Sequence, residues 1–292
     1  MTRVSKKDIA IFVVPFMAIF TTFTIVPVLV SVFFSFTNFN MVQMPRFIGL
    51  ANYMRLFVND ELFLIALQNT LFFAMITGPI GYVLCFTFAW FINQLNRRLR
   101  SFLTLLFYAP SIVGGSLMIW QLFFSDDAHG LLNAWLMNIG ILTDPVLWRS
   151  DPAAIRTVGV IVVLWQSLGV SFLAFIAGLQ SVDRTLYEAG SMDGIKNRWQ
   201  ELYFITLPVM KPQLMFGAVM SITGSFGIGG ILTDLFGNPS TGFVAYTIVH
   251  HLEDYGGVRF MMGYASAIAV VLFAMMIGAN KLVQRILRRV GT

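Results

Sequence analysis

Charge is scarce in this chain. Asp, Glu, Lys and Arg make up 11% of its 292 residues, against 57% hydrophobic, whereas a soluble domain averages about a quarter charged. That balance excludes an ordinary water-soluble domain and points to an integral membrane protein. Cysteine is almost absent. The single Cys85 lies within an apolar run, which rules out an intramolecular disulfide and reads as a small buried hydrophobe. Histidine occurs three times, as His129, His250 and His251. The stretch HHLED, with Glu253 and Asp254, holds metal-ligand residue types, but adjacent histidines point apart on most backbones. The expectation there is a solvated loop surface and no metal site.

Two further absences narrow the function. No G-x-x-x-x-G-K-[ST] phosphate loop occurs, so the chain binds no ATP by that route. No ionisable residue stands at the middle of an apolar run, which argues against an intramembrane enzyme and against an ion-coupled carrier. No catalytic residue is therefore assigned. The 19 Lys and Arg outnumber 14 Asp and Glu, yet they are dispersed among hydrophobic segments. That speaks against nucleic acid as a partner.

What is present is a series of apolar runs, each near the ~20 residues a membrane helix needs. They fall at about Ile9–Phe36, Leu62–Leu95, Phe102–Phe124, Ile155–Leu179, Leu214–Leu232 and Met261–Val283. The expected fold class is an all-α membrane protein with six transmembrane helices. The opening MTRVSKKD has the basic start of a signal peptide, but the run behind it is long, so it reads as a retained anchor. Pro15 and Pro27 are expected to bend that helix, and Pro79 and Pro110 to kink the second and third.

Loop charge sets an orientation. With six spans, one side collects Arg3, Lys6, Lys7, Arg97, Arg98, Arg100, Arg184, Lys196, Arg198, Lys211, Lys281, Arg285, Arg288 and Arg289. The other holds Arg46, Arg55, Arg149, Arg156 and Arg259. The Lys/Arg-rich side is expected to be cytoplasmic, with both termini on it. The outer loops are too short for separate modules, so the domain reading is an anchor helix and first outer loop over 1–61, a membrane domain over 62–285 and a tail over 286–292.

The most polar segment of the second half is EAGSMDGIKNRWQELYFITLPVMKP, Glu188 to Pro212. Asp183 is placed to cap a helix through Arg184 to Met192, and Gly194 suits a left-handed turn. Asn197 is placed to cap a second helix with Gln200 as its capping-box partner. Trp199, Leu202 and Tyr203 form an apolar face; Pro208 is expected to stop this helix and Pro212 to start the next span. Such a helix–turn–helix either links two spans at the interface or seats in a groove of a soluble partner.

This segment resembles the EAA motif of binding-protein-dependent ABC importer permeases, with Glu188, Ala189, Gly194, Ile205, Leu207 and Pro208 in matching places. It departs at Gly190, where a second Ala is usual, and by one extra residue between Gly194 and Ile205. FIGLANYMRLF, QNTLFF, YAPSIVGG and MGYASAIAVVLF are similar to the carbohydrate branch, of the maltose-type first membrane subunit, and the likeness runs from about Val14 onward. The resemblance implies the type I permease fold with a cytoplasmic coupling helix–turn–helix, in a bacterial inner-membrane subunit that imports a sugar or oligosaccharide. Its implied partners are a second permease, two ATP-binding subunits that carry the ATP, and an extracytoplasmic solute-binding protein; no cofactor is held by this chain. It also implies ATPase coupling through Glu188, Ala189, Gly190, Asp193 and Gly194.

The implied solute pathway comprises Trp165, Gln166, Gly169 and Ser171 in the fourth span and Ser221 and Ser225, four apart on one face, in the fifth. Gln166 and the serines equally suit helix–helix adhesion. The five glycines between Gly217 and Gly230 suit close packing or a flexible gate. Rival readings are an ABC permease for amino acids or another polar solute, a self-sufficient secondary transporter or channel, and a scaffold without transport.

Overall fold

A computed structural model describes residues 6–113 and 115–287. Arg3, Arg288 and Arg289, most of the expected tail 286–292, and Gly114 of the YAPSIVGG stretch lie outside the described residues. The described chain is helical, and its only β-pairing is an isolated antiparallel bridge between Thr37 and Phe47.

Among the described residues three helices have the length and apolarity to cross a membrane: Val13–Phe34, Glu61–Asn93 and Met262–Leu287. Two bent pairs raise the number to five when each is taken as one span: Pro152–Gln166 with Val170–Ser181, bent by 40°, and Arg198–Val209 with Lys211–Phe226, bent by 80°. The expected run Phe102–Phe124 behaves differently. Helix Arg97–Tyr108 passes into a 3-10 turn at Ala109–Ser111, and a separate helix, Leu117–Phe123, follows. Pro110 lacks the N–H that would carry the helix on, and Gly115 at φ +77° leaves helical space. In the first helix a π turn, Thr21–Ile25, precedes Pro27, with the Val26 N–H donating to the Thr21 carbonyl five residues back. Pro79, by contrast, sits inside one continuous helix of 33 residues.

The chain divides into two compact units. The first comprises residues 1–64 and 251–274. In it Asn52 Nδ2 donates to the carbonyls of Ser35 and Thr37, each at 2.8 Å, and Tyr53 OH donates to Ser35 Oγ at 2.7 Å. Asp60 caps the long helix, its Oδ1 accepting the Phe63 N–H at 2.9 Å. Its Oδ2 accepts from Tyr264 OH at 2.6 Å and pairs with His251 Nε2 at 3.1 Å. Burial pushes the Asp60 carboxyl up, but the bonds from Tyr264, Phe63 and His251 outweigh it and hold the group below the usual carboxylate range.

The expected solvated histidine surface is corrected here. His251 is fully buried, ringed by Phe63 and Tyr255, and bonded to a carboxylate 191 residues away in sequence. Burial lowers its pKa, against the pull of Asp60. His250 belongs to the second unit and is also buried. Its Nδ1 accepts the Thr247 N–H at 2.9 Å and its Nε2 meets Thr233 Oγ1 at 2.8 Å, so the ring carries its proton on Nε2. Burial drops this imidazole to about 4. Each ring has its own partners.

The second unit, residues 65–250 and 275–292, holds the main core. Phe172, Phe175, Leu179, Met210 and Leu214 meet Cys85, Ala89 and Ile92 of the long helix. The rings of Tyr82 and Phe86 stand edge-on to Phe175 at 5.4 and 5.6 Å. Cys85 is buried, its thiol 3.3 Å from the Ser167 carbonyl, as a small hydrophobe would be.

Candidate functional site

Two places in the second unit gather the polar residues singled out above. The first is a cavity of about 220 Å³ where the bent pair Pro152–Gln166 and Val170–Ser181 meets Lys211–Phe226 and the long helix. Gln166, Ser171, Ser221 and Ser225 all line it, joined by Thr77, Ser167, Met220 and Gly224. The bend puts them there: Asp151 caps the first helix at Ala153 and Ala154, the helix ends at Gln166, and Ser167 Oγ donates to the Leu164 carbonyl at 2.6 Å. Gly169 caps the second half.

Every hydroxyl around this cavity donates to a backbone carbonyl. Ser171 reaches Gly217 at 3.1 Å, Ser221 reaches Gly78 at 3.0 Å, Ser225 reaches Ile222 at 2.8 Å and Thr77 reaches Phe73 at 2.8 Å. Gln166 Oε1 is buried without a hydrogen-bond partner. Ser171 and Ser221 are thus both helix adhesion and cavity wall, Ser225, Ser167 and Thr77 bond within their own helices, and what remains for a ligand is a set of uncharged acceptor lone pairs with the Gln166 amide beside them. The volume is below the roughly 300 Å³ at which ligand pockets begin, so the cavity is narrow in this conformation.

Trp165 and Gly169 lie elsewhere. Trp165 lines a separate apolar cavity of about 530 Å³ with Leu84, Phe88, Leu106 and Leu164, and its ring stands edge-on to Trp120 at 5.4 Å. Gly169 approaches Ser111. Of the five glycines, Gly217 is the clearest packing residue, since a Cβ on it would run into the Phe175 ring, whereas one on Gly224 would meet open space.

The second place is the hairpin. Asp183 caps helix Arg184–Met192, its carboxylate accepting the Thr185 N–H at 3.0 Å, which holds the exposed carboxyl below its usual range. Gly194 turns the chain at φ +92°, where a Cβ would be strained. Asn197 caps the next helix by accepting the Gln200 N–H at 2.9 Å; in return Gln200 Oε1 accepts the Lys196 N–H at 2.8 Å, one residue earlier than a capping box requires.

Three details of the hairpin depart from expectation. Pro208 does not stop the second helix, which runs from Arg198 to Val209 and bends only at Met210. A π turn at Leu202–Thr206 has the Leu207 N–H donating to the Leu202 carbonyl, and this change of register accommodates the missing Pro208 donor. Trp199 and Tyr203 are each 67% exposed; Trp199 touches the Trp90 ring at 5.1 Å, but the face against the core is Ile205 and Leu207 with Tyr187. Tyr187 OH and Thr206 Oγ1 lock the two helices at 3.0 Å. Finally, Gly190 is buried within the hairpin, where a Cβ would stand 2.7 Å from Ile205 Cδ1; the small residue serves the hairpin's own closure. Glu188, Ala189, Asp193 and Gly194 are exposed.

Residues 81–292 match the family of the binding-protein-dependent transport system inner membrane component. The chain belongs to this family. It is 33% identical over 89% of its length, and 84% of the relative, to the probable ABC transporter permease protein YesP of Bacillus subtilis. It is 31% identical, over 90% of its length and 82% of the relative, to that organism's arabinooligosaccharides transport system permease protein AraP. Its fold matches a chain in the crystal structure of a bacterial ABC transporter involved in the import of the acidic polysaccharide alginate. The TM-score there is 0.75 with 24% identity, over 96% of this chain and 97% of the other.

The matched region of the permease carries the whole hairpin and most of the cavity wall; Thr77 stands just before it. Reading the sequence missed Thr77, Ser167, Met220 and Gly224 as cavity residues. Thr77 did carry a signal, since it opens the TGPIG stretch in an otherwise apolar helix. Ser167 had one as well, as the polar neighbour of Gln166 at the point where the span bends.

Proposed function

We propose that this permease is one of two membrane subunits of an ATP-driven importer for a sugar or oligosaccharide. One observation carries the cargo class: the cavity offers uncharged hydrogen-bond acceptors, its own hydroxyl protons being already committed to the backbone. Sugar hydroxyls are the complementary donors, and no ionic partner is needed. The relative named for arabinooligosaccharide transport agrees with this class.

In this reading the chain crosses six times within residues 1–285, with the split segment Arg97–Phe123 as the third crossing. Both termini lie in the bacterial cytoplasm, following the excess of Lys and Arg on that side. The hairpin is then cytoplasmic. Its exposed Glu188, Ala189 and Asp193 face one of two ATP-binding subunits, Gly190 keeps it compact and Gly194 sets its turn. ATP binding by those subunits moves the hairpin, the 80° bend passes the motion to Lys211–Phe226, and the cavity opens to one side and then the other. A solute-binding protein outside and a second permease complete the assembly. The permease itself performs no chemical step and binds no cofactor.

The test uses the reconstituted importer. Gln166→Ala or Ser225→Ala should weaken solute-dependent uptake while assembly and basal ATP hydrolysis persist. Glu188→Lys or Gly194→Asp should leave the protein inserted but abolish ATPase co-purification or solute-stimulated hydrolysis. Unchanged uptake in the first pair and unchanged stimulation in the second would overturn the reading.

A further inference from the structure

A second kind of groove lies at the basic end of helix Arg97–Tyr108, where that helix runs alongside Val170–Ser181. It has a volume of about 480 Å³. One stripe of each helix faces it: 97, 100, 101, 104, 105 and 108 on the first, at three- and four-residue spacing, and 173, 176 and 180 on the second. The stripes are graded. Arg97, Arg100 and Gln180 form one end, while Leu105, Leu173 and Ile176 form the other.

The polar end makes few bonds within the chain. Ser101 and Thr104 return their hydroxyls to the carbonyls of Arg97 and Arg100, at 3.0 and 2.8 Å, and leave the donor role to the guanidinium groups and the Gln180 amide. Arg100 gives one bond, to Asn93 Oδ1 at 3.2 Å. No Asp or Glu lies within ion-pair distance of Arg97 or Arg100 among the described residues; the ion pairs present involve Arg198, His251 and Arg259. Glu188 lines the adjoining polar cavity, which Arg100 and Gln180 also border, but not this groove. Two arginines therefore converge above an apolar slot without an anion of this chain to meet them.

We infer that this groove binds an anionic phospholipid of the cytoplasmic leaflet. The phosphate sits on Arg97 and Arg100, where a planar guanidinium matches its oxygens two at a time. An acyl chain lies along Leu105, Leu173 and Ile176. A soluble phosphate would use the polar end but leave the slot empty, whereas a lipid satisfies both in one ligand, in the way basic pockets between membrane helices hold lipid headgroups. The leaflet assignment rests on the orientation given under Proposed function; the binding itself does not.

The test is native mass spectrometry of the full chain purified in detergent, with phosphatidylglycerol or phosphatidylcholine added. Phosphatidylglycerol should be retained and phosphatidylcholine should not. The double variant Arg97→Gln/Arg100→Gln should lose about thirtyfold in retention, near fivefold for each arginine at ~1 kcal/mol apiece. Leu105→Trp, at a position already 63% exposed, should fill the slot and reduce retention without unfolding the chain. Millimolar inorganic phosphate should not displace the lipid. Equal phosphatidylglycerol retention in the double variant would overturn the proposal. So would full displacement by phosphate together with unchanged retention in Leu105→Trp, which would mark a free-anion site. Labelling of Arg98→Cys by an impermeant maleimide reads the leaflet separately. Reaction only after the cells are permeabilised supports the inner leaflet, and reaction in intact cells would overturn that assignment, whatever the cargo proves to be.

Discussion

The hairpin and the cavity are built from similar residues and solve opposite problems. In the hairpin, the capping side chains find partners two to four residues away: Asp183 with Thr185, Asn197 with Gln200, Gln200 with Lys196. In the cavity wall the spanning bonds join residues 46 and 143 apart, Ser171 to Gly217 and Ser221 to Gly78. Exposed helix ends are capped by whatever lies next in the chain. Apolar surroundings offer no water, so polar groups there are met inside the protein, Thr77 and Ser225 by their own helix and Ser171 and Ser221 by another. The same serine or glutamine thus reads as local punctuation in one region and as long-range adhesion in the other.

The contrast would break first at Gly217. Phe175 is fully buried and held by two rings, so Gly217→Leu should cost more than about 3 kcal/mol and yield little folded protein. An equally large side chain at exposed Ala189 should fold normally. Monodisperse yield after size-exclusion chromatography measures both, and equal yields would erase the distinction.

A pH titration sharpens it next. His250 titrates at about 4 in the fold against about 6.5 unfolded. Above pH 6.5 the ring is neutral in both states. Between 6.5 and about 4 the unfolded chain takes up a proton that the fold refuses. Stability should therefore fall with pH by up to roughly 3 kcal/mol. His251 adds in the same direction. Thermal melts across this window should show Tm falling, and His250→Asn should flatten much of the slope. The exposed hairpin cap at Asp183 should act mainly below this window, because its carboxyl is held under the usual range and takes up its proton later than the histidines do.

The smallest effects compare single bonds across the two regions. Asn197→Ala removes a helix cap and should cost about 1 kcal/mol. Ser221→Ala removes one interhelical bond and should cost about 0.6 kcal/mol, while adding a phenotype the cap lacks: altered cargo affinity. Melting and uptake measured on both variants separate a local role from a shared wall.

How far the sequence could be read follows the same division. The caps at Asp183 and Asn197, the turn at Gly194 and the long apolar helices were legible because each depends on residues a few places apart. Gln166, Ser171, Ser221 and Ser225 were legible as polar residues in apolar runs, but not their separation from Trp165, because the bend after Gln166 and a neighbouring aromatic, Trp120, decide where that indole goes. Gly190 had the look of a docking residue; Ile205, fifteen positions on, makes it an internal one. Pro208 had the look of a stop, and a π turn carried the helix through it.

By itself the sequence determined the membrane class, the helical character and the hairpin's caps and turn, all consequences of composition and of hydrogen bonds closed within a few residues. Only the tertiary structure decided that His250 and His251 are buried, that the third apolar run is divided, and which hydroxyls share a wall. Those outcomes depend on partners far along the chain, such as Asp60 for His251 and Gly78 for Ser221, whose approach no local spacing encodes.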